Sequence, residues 1–213
     1  MTLDLTPDQL LTTTRAVRKR LDLTRPVPRE LITECIEIAQ QAPSGSNRQG
    51  FHFVVVDDAD KRAALAELYG KAYDAYASAG SNTYPEGDPR HERYDAVRSS
   101  ATYLRDHLHE VPVHVIPCGK SRVEVVKGSS PASYFASIIP AGWSFMLAAR
   151  ARGLGTVWTT LHLAFEREAA EILGIPYDKV TQAALIPVAF TKGTDFKAAQ
   201  RVPAETITHW NQW

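Results

Sequence analysis

Residues Ala42-Pro43-Ser44-Gly45-Ser46-Asn47-Arg48-Gln49-Gly50-Phe51 form a short polar loop crowded with hydroxyls and amides. Ser44, Ser46, Asn47 and Gln49 bring donors and acceptors together. That mixture suits the imide edge of a planar heteroaromatic ligand, such as a flavin ring, better than a metal ion or a catalytic triad. Pro43 ends the segment before the loop, and Gly45 and Gly50 are expected to let the backbone approach a ligand closely. Read alone, the loop is equally a plain helix-to-strand connection. Two basic clusters point to a phosphate. Arg15, Arg18, Lys19 and Arg20 lie near the N-terminus, and on a helix Arg15 and Arg18 would share a face. Two guanidiniums converging there could grip a phosphate through charge-assisted hydrogen bonds. Lys197 and Arg201 make a second basic pair, which joins the first if the last segment folds back. Taken singly, a solvated helix face and a basic tail explain each cluster as well.

Other chemistries find less support. Gly153-Leu154-Gly155-Thr156 looks like part of a phosphate loop, but Trp158 stands where a dinucleotide fingerprint has its third glycine, and a helix precedes it rather than a strand. The segment reads as a helix stop leading to a backbone edge, from which Thr159 and Thr160 could face a ligand. His107, His109 and His114 have no carboxylate or cysteine at metal-ligand spacing, so no metal is expected. Ser144, in Gly142-Trp143-Ser144-Phe145-Met146, lacks the second glycine of a nucleophile elbow. Cys35 and Cys118 lie far apart in apolar runs and read as buried thiols, which fits a reducing compartment. Tyr69, Tyr73, Tyr76 and Tyr84 gather rings in one region, chiefly as packing and otherwise as a lid that stacks aromatic substrates.

These residues need a scaffold. Leu10 to Leu21 begins as a helix, and Asp22 to Pro28 is held extended by its prolines. Leu31, Ile32, Cys35, Ile36, Ile38 and Ala39 follow the helical period to about Gln41, with Pro28 suited to the first helical position. Phe51 to Asp57 reads as an inner strand. Asp58 to Ala79 and Arg93 to Leu108 read as helices, and Val111 to Pro117 as a short strand. Gly80 to Arg90 and Gly119 to Pro131 are loop-like. Tyr134 to Arg152 is the most apolar helix, stopped by Gly153; its prolines, glycine and serines favour a buried core helix over a membrane span. Phe165 to Leu173 is a helix closed by Gly174 and Pro176, and Gln182 to Phe190 is the last clear strand. Thr191 to Trp213 is irregular. Strands and helices mix without strict alternation, so α+β is favoured over a doubly wound sheet. With no repeat or linker, residues 1–213 read as a single domain.

Composition narrows the partners. The 213 residues carry 24 Lys plus Arg against 24 Asp plus Glu, so neither a nucleic acid nor an anionic membrane surface is an expected partner. Met1 to Asp4 lacks the basic and apolar regions of a secretory signal, and a cytoplasmic location is expected.

Taken in chain order, the motifs resemble the FMN-dependent nitroreductase family of NAD(P)H-dependent flavin oxidoreductases. That family's pattern runs Arg-Arg-Ser-x-Arg, Pro-Val-Pro before a helix, Ala-Pro-Ser-x-x-Asn-x-Gln-Pro-Trp-x-Phe into a strand, a Gly-Leu-Gly segment, and a late Arg. The matches here are Arg15 to Arg18, Pro26-Val27-Pro28, Ala42 to Phe53, Gly153 to Trp158, Leu173-Gly174-Ile175-Pro176 and Arg201. The resemblance implies an α+β fold, a central mostly antiparallel sheet flanked by helices, and an interlocked homodimer with FMN at the subunit interface. It implies that Arg15, Arg18 and Arg201 hold the phosphate, with Ala16 and Lys197 beside them. Pro43, Ser44, Gly45, Asn47 and Gln49 would reach the ribityl chain and ring from the partner, and Trp158, Thr159 and Thr160 would lie along the ring edge. Three positions depart from the pattern. Ala16 replaces Ser and removes a hydroxyl donor, Gly50-Phe51 replaces Pro-Trp and loosens the loop, and Ala189-Phe190-Thr191 replaces Gly-Tyr-Pro. The implied activity is reduction of a small aromatic acceptor, nitroaromatic or quinone, at the expense of NADPH or NADH by a ping-pong mechanism with no side-chain nucleophile. The rivals are a flavin storage or sensor protein, which the departures at Ala16 and Gly50 keep open, and a related flavin enzyme with another substrate, which the stretch from Tyr73 to Val126 would set.

Overall fold

The computed structural model describes residues 2–80, 84–85, 87–125 and 130–213; parts of the loop-like stretches 80–90 and 119–131 lie outside the described residues. The helices are α1 (Pro7–Thr13), α2 (Arg29–Ala39), α3 (Ala59–Ser78), α4 (Pro89–His107), α5 (Pro131–Ala151) and α6 (Glu166–Leu173). The strands are β1 (Phe51–Val56), β2 (Val113–Lys120), β3 (Leu154–Thr156), β4 (Val180–Gln182) and β5 (Ile186–Phe190). They pair in the order β1-β2-β5-β3, with β4 also on β2, and every strand pairing is antiparallel.

Side chains alternate across a strand, and on β2 that alternation separates two cores. Val113 and Val115 join Ile186 and Val188 of β5 in a cluster completed by Ile32, Cys35, Phe145 and Met146. Ile116 and Cys118 point the other way, into a cluster with Leu65, Leu68, Tyr69, Leu104 and Ala169. Helices α2 and α5 therefore cover one face, and α3, α4 and α6 the other. The antiparallel sheet flanked by helices, expected from the resemblance, is what the chain forms. α5 is long and apolar enough to cross a bilayer; here it packs Phe145, Met146 and Ala149 into the core between α2 and the sheet.

Three elements differ from the sequence expectation. α1 stops at Thr13, so Arg15 and Arg18 are not on a helix. Thr12, Thr13 and Thr14 donate their hydroxyls to the carbonyls four residues back, a competition that weakens a helix. The chain then turns extended, and Val17 N donates to Thr156 O at 2.9 Å on the edge of β3. β1 is an edge strand, not an inner one, because among the described residues it pairs only with β2. Its Val55 stays exposed. The run from Gln182 to Phe190 divides into β4 and β5, because Leu185 leaves the β2 ladder to exchange two backbone hydrogen bonds with Thr159.

Candidate functional site

The N-terminal segment lies against β3, and the C-terminal tail returns to it. Gly155 permits the approach: a Cβ there would meet Thr191 Cγ2 at 2.8 Å, Val17 Cγ1 at 2.9 Å and Leu21 Cδ2 at 3.0 Å. Arg20 Nε donates to Lys192 O at 2.9 Å, and Arg15 Nη1 donates to Lys197 O at 3.0 Å. Between segment and tail opens a cavity of about 370 Å³, lined by Arg15, Ala16, Arg18, Phe196, Lys197 and Ser100 of α4, among others.

Of the cavity's arginines, Arg20 is paired with Asp195. Among the described residues the other two, Arg15 and Arg18, have no carboxylate partner. Arg18 is half-buried, and its Nε is buried without any partner. Burial lowers the Arg18 pKa, opposed by Tyr69 and Tyr73 beside it. Burial in turn pushes the Tyr69 phenol up to about 12, with Arg18 pulling against that rise. The Arg15 pKa is lowered by burial, then by repulsion from Arg93 and Arg201. Arg201 itself is exposed and, among the described residues, donates only to Gln200 O, at 3.3 Å. Desolvated cations with open donors call for an anion, and these residues fit a phosphate. Ala16 contributes backbone pairing to Thr156 and no side-chain donor.

The polar loop is built differently from the sequence expectation. Gly45 and Gly50 have ordinary φ values, and a Cβ on Gly50 would meet nothing within 4 Å. The left-handed conformations fall instead on Ser46 (φ 53°), Asn47 (φ 53°) and Gln49 (φ 48°). Each costs about 1–2 kcal/mol for a residue with a Cβ. Two bonds within the loop and one to α5 hold the strain: Gln49 N donates to Ser44 Oγ at 2.9 Å, Gln49 Nε2 to Asn47 Oδ1 at 3.1 Å, and Gly45 N to Ser137 Oγ of α5 at 3.0 Å. Beside the loop lies a second cavity of about 300 Å³, which Arg48, Lys120 and Tyr134 help to line. Pro43 lies outside it, exposed, at the mouth of an apolar groove between α2 and α5.

The arginine cavity and the polar loop are far apart within one chain. The loop meets α5 at Ser137, whereas the tail meets it at Arg150, whose Nη2 donates to Thr194 O at 3.0 Å. Helical rise separates those anchor points by about 20 Å. Trp158 is half-buried with its ring over Gly142 of α5, where a Cβ would come within 2.6 Å of Trp158 Cζ3. The Thr159 hydroxyl is buried and donates to Leu185 O at 2.8 Å, so it is not turned to a ligand. Thr160 is exposed, and its hydroxyl forms no hydrogen bond among the described residues.

Residues unremarked in the sequence also shape the cavity. Arg93, Ser100 and Phe196 lie at or near it, and Arg150 braces the tail. The available signals were an aromatic ring in a polar tail and an arginine inside the most apolar helix. His114 is buried in the core with Nε2 on Leu108 O at 2.9 Å, and His107 pairs with Glu110. No group of three metal-ligating side chains gathers among the described residues.

Residues 11–190 match the family model described as the Nitroreductase family. A protein of Methanothermobacter thermautotrophicus, named as an NADH dehydrogenase/NAD(P)H nitroreductase, is 26% identical over 184 residues, 85% of this chain and 75% of the relative. Oxidised iodotyrosine deiodinase bound to FMN and 3-iodo-L-tyrosine shares the fold with a TM-score of 0.72 at 20% identity, over 96% of this chain and 98% of that one. An FMN and NADPH-dependent nitroreductase from sphigopyxis sp. strain HMH does so with a TM-score of 0.71 at 19% identity, over 98% and 100%. Identities this low establish the fold alone. The family match, by contrast, runs through Arg15, Arg18 and Arg20 of the cavity, the strained loop and β3, and the chain belongs to the Nitroreductase family.

Proposed function

We propose that this chain is a flavoprotein oxidoreductase that holds FMN between two copies of itself and uses NADPH or NADH to reduce a nitroaromatic, quinone or similar conjugated acceptor. The observation that carries the reading is the cavity whose Arg15 and Arg18 have no carboxylate partner among the described residues and whose Arg18 Nε is buried and open. FMN, when bound, supplies the redox chemistry by taking up reducing equivalents from the nicotinamide and releasing them to the acceptor. The chain's own residues bind and orient it. Arg15, Arg18 and Arg201 neutralise the phosphate, and the carbonyl of Lys197 fixes the Arg15 side chain. Thr160, exposed beside β3, offers a hydroxyl to the ring edge.

The second half of the site comes from the Ser44–Gln49 loop of a second copy, because one chain's own loop sits at the opposite end of α5. Two surface features support such a dimer. The outer side of β1 pairs with nothing among the described residues, and an open edge invites cover. The tail leaves Ile207 67%, Trp210 83% and Trp213 100% exposed, apolar area that a second copy would bury.

The experiment is to purify the chain, identify any yellow chromophore released on denaturation, and mix the protein anaerobically with NADH and with NADPH. Rapid bleaching followed by recolouring with a nitroaromatic or quinone is the expected result. Colourless protein that takes up no FMN overturns the proposal, and a bound flavin that neither donor bleaches points to a holding protein without turnover.

A further inference from the structure

The tail between Lys192 and Lys197 is tied down in an unusual way. Three of its carbonyls each accept from a different arginine: Lys192 O from Arg20 Nε at 2.9 Å, Thr194 O from Arg150 Nη2 at 3.0 Å, and Lys197 O from Arg15 Nη1 at 3.0 Å. Two of those guanidiniums also lie on the Phe196 ring, Arg20 at 4.2 Å and Arg150 at 4.8 Å from its centroid. Phe196 lines the cavity, and Arg150 does not. Arg150 is 4% exposed, emerges from the most apolar helix, and leaves Nε and Nη1 without partners. A buried cation half-satisfied in this manner is costly. Its contacts all converge on the tail and on Thr13 of α1.

We propose that Arg150 is a positioning residue for the phosphate site: through Thr194 and the Phe196 ring it latches the C-terminal tail over the cavity, and so sets the Lys197 carbonyl that aims Arg15. The inference rests on the FMN reading above and deepens it. Arg20 closes the same latch from the N-terminal segment, with its ion pair to Asp195. The latch acts on the phosphate end of the ligand and not on its ring. Loss of the latch therefore removes the advantage of FMN over riboflavin, which lacks the phosphate.

The test measures dissociation constants of FMN and riboflavin, by flavin fluorescence, for the wild-type chain, Arg150→Met, Phe196→Leu and Phe196→Tyr. The wild type is expected to prefer FMN. Arg150→Met and Phe196→Leu are each expected to weaken FMN roughly tenfold while riboflavin stays within about twofold. Phe196→Tyr keeps a ring for the two guanidiniums and is expected to keep the preference. Phe196 is only half-buried, so its variants carry the test if Arg150→Met does not fold. A wild-type preference for FMN that survives Phe196→Leu, or equal weakening of both flavins, overturns the latch alone. A wild type that binds neither flavin, or does not prefer FMN, overturns the cofactor reading and the latch with it.

Discussion

Arg15 and Arg18 are cations the fold has partly desolvated and left unanswered, and that asymmetry makes their removal diagnostic. Arg15→Ala and Arg18→Met are each expected to weaken FMN roughly ten- to hundredfold, the worth of a charge-assisted hydrogen bond. Titration of the apoprotein checks this, and unchanged affinity in both variants would place the phosphate elsewhere. The strained loop yields a prediction of opposite sign. Ser46→Gly relieves a left-handed φ and is expected to raise stability by about 1 kcal/mol, or roughly 2–4 °C in the melting temperature. Residue types made the candidate site legible: the arginines and the serine-rich loop stood out in the sequence because guanidiniums and hydroxyls are groups able to bind a phosphate and a polar ring edge. Conformation was not visible. Glycine at 45 and 50 suggested where the backbone would approach a ligand, yet Ser46, Asn47 and Gln49 bear the strain, held by bonds within the loop and by one to Ser137 of α5.

Short elements position these residues by close approach, and β3 is the clearest case. Val17, Leu21 and Thr191 crowd the α-carbon of Gly155, so the cavity's two walls meet only because that residue has no side chain. Gly155→Ala is expected to lose about 1–3 kcal/mol of stability through overpacking and to loosen FMN as the N-terminal segment is pushed away. Denaturant unfolding and flavin titration measure the two effects, and a variant with native stability and affinity would refute the account. Long periodic elements were legible from the sequence: α2, α3, α5 and α6 lie close to where their apolar spacing put them. The misread elements were those decided by tertiary pairing. α1 yields to the Thr12–Thr14 run and to the pull of Thr156, and β1 looks central by composition although among the described residues it pairs with β2 alone.

On the scale of the whole molecule both cores share β2, so one cooperative unfolding transition is expected by calorimetry. Its pH dependence follows from two core histidines. Burial depresses the pKa of His114 and of His162 to about 4, from an ordinary value of 6.5. Above pH 6.5 both states are neutral there and nothing changes. Between about 6.5 and 4 the unfolded chain takes up protons that the fold refuses, so stability falls with pH, by as much as about 3 kcal/mol for each histidine. Below 4 the loss levels off. His114→Phe with His162→Leu is expected to flatten that acid limb. The proposed division of the site between chains was beyond reach of composition, because it rests on α5 holding the loop and the tail about 20 Å apart. It can be tested by complementation. One chain carries Arg15→Ala and Arg18→Met, with an intact loop; another carries Ser44→Ala and Asn47→Ala, with intact arginines. Each homodimer has only damaged sites. A mixed dimer has one site with both defects and one with neither. Unfolding and refolding the two together at equal amounts, with unbiased pairing, makes half the dimers mixed and restores about a quarter of the wild-type FMN sites. If a single chain supplied both halves, mixing would restore none, and the shared-site proposal would fall while the cavity reading stood.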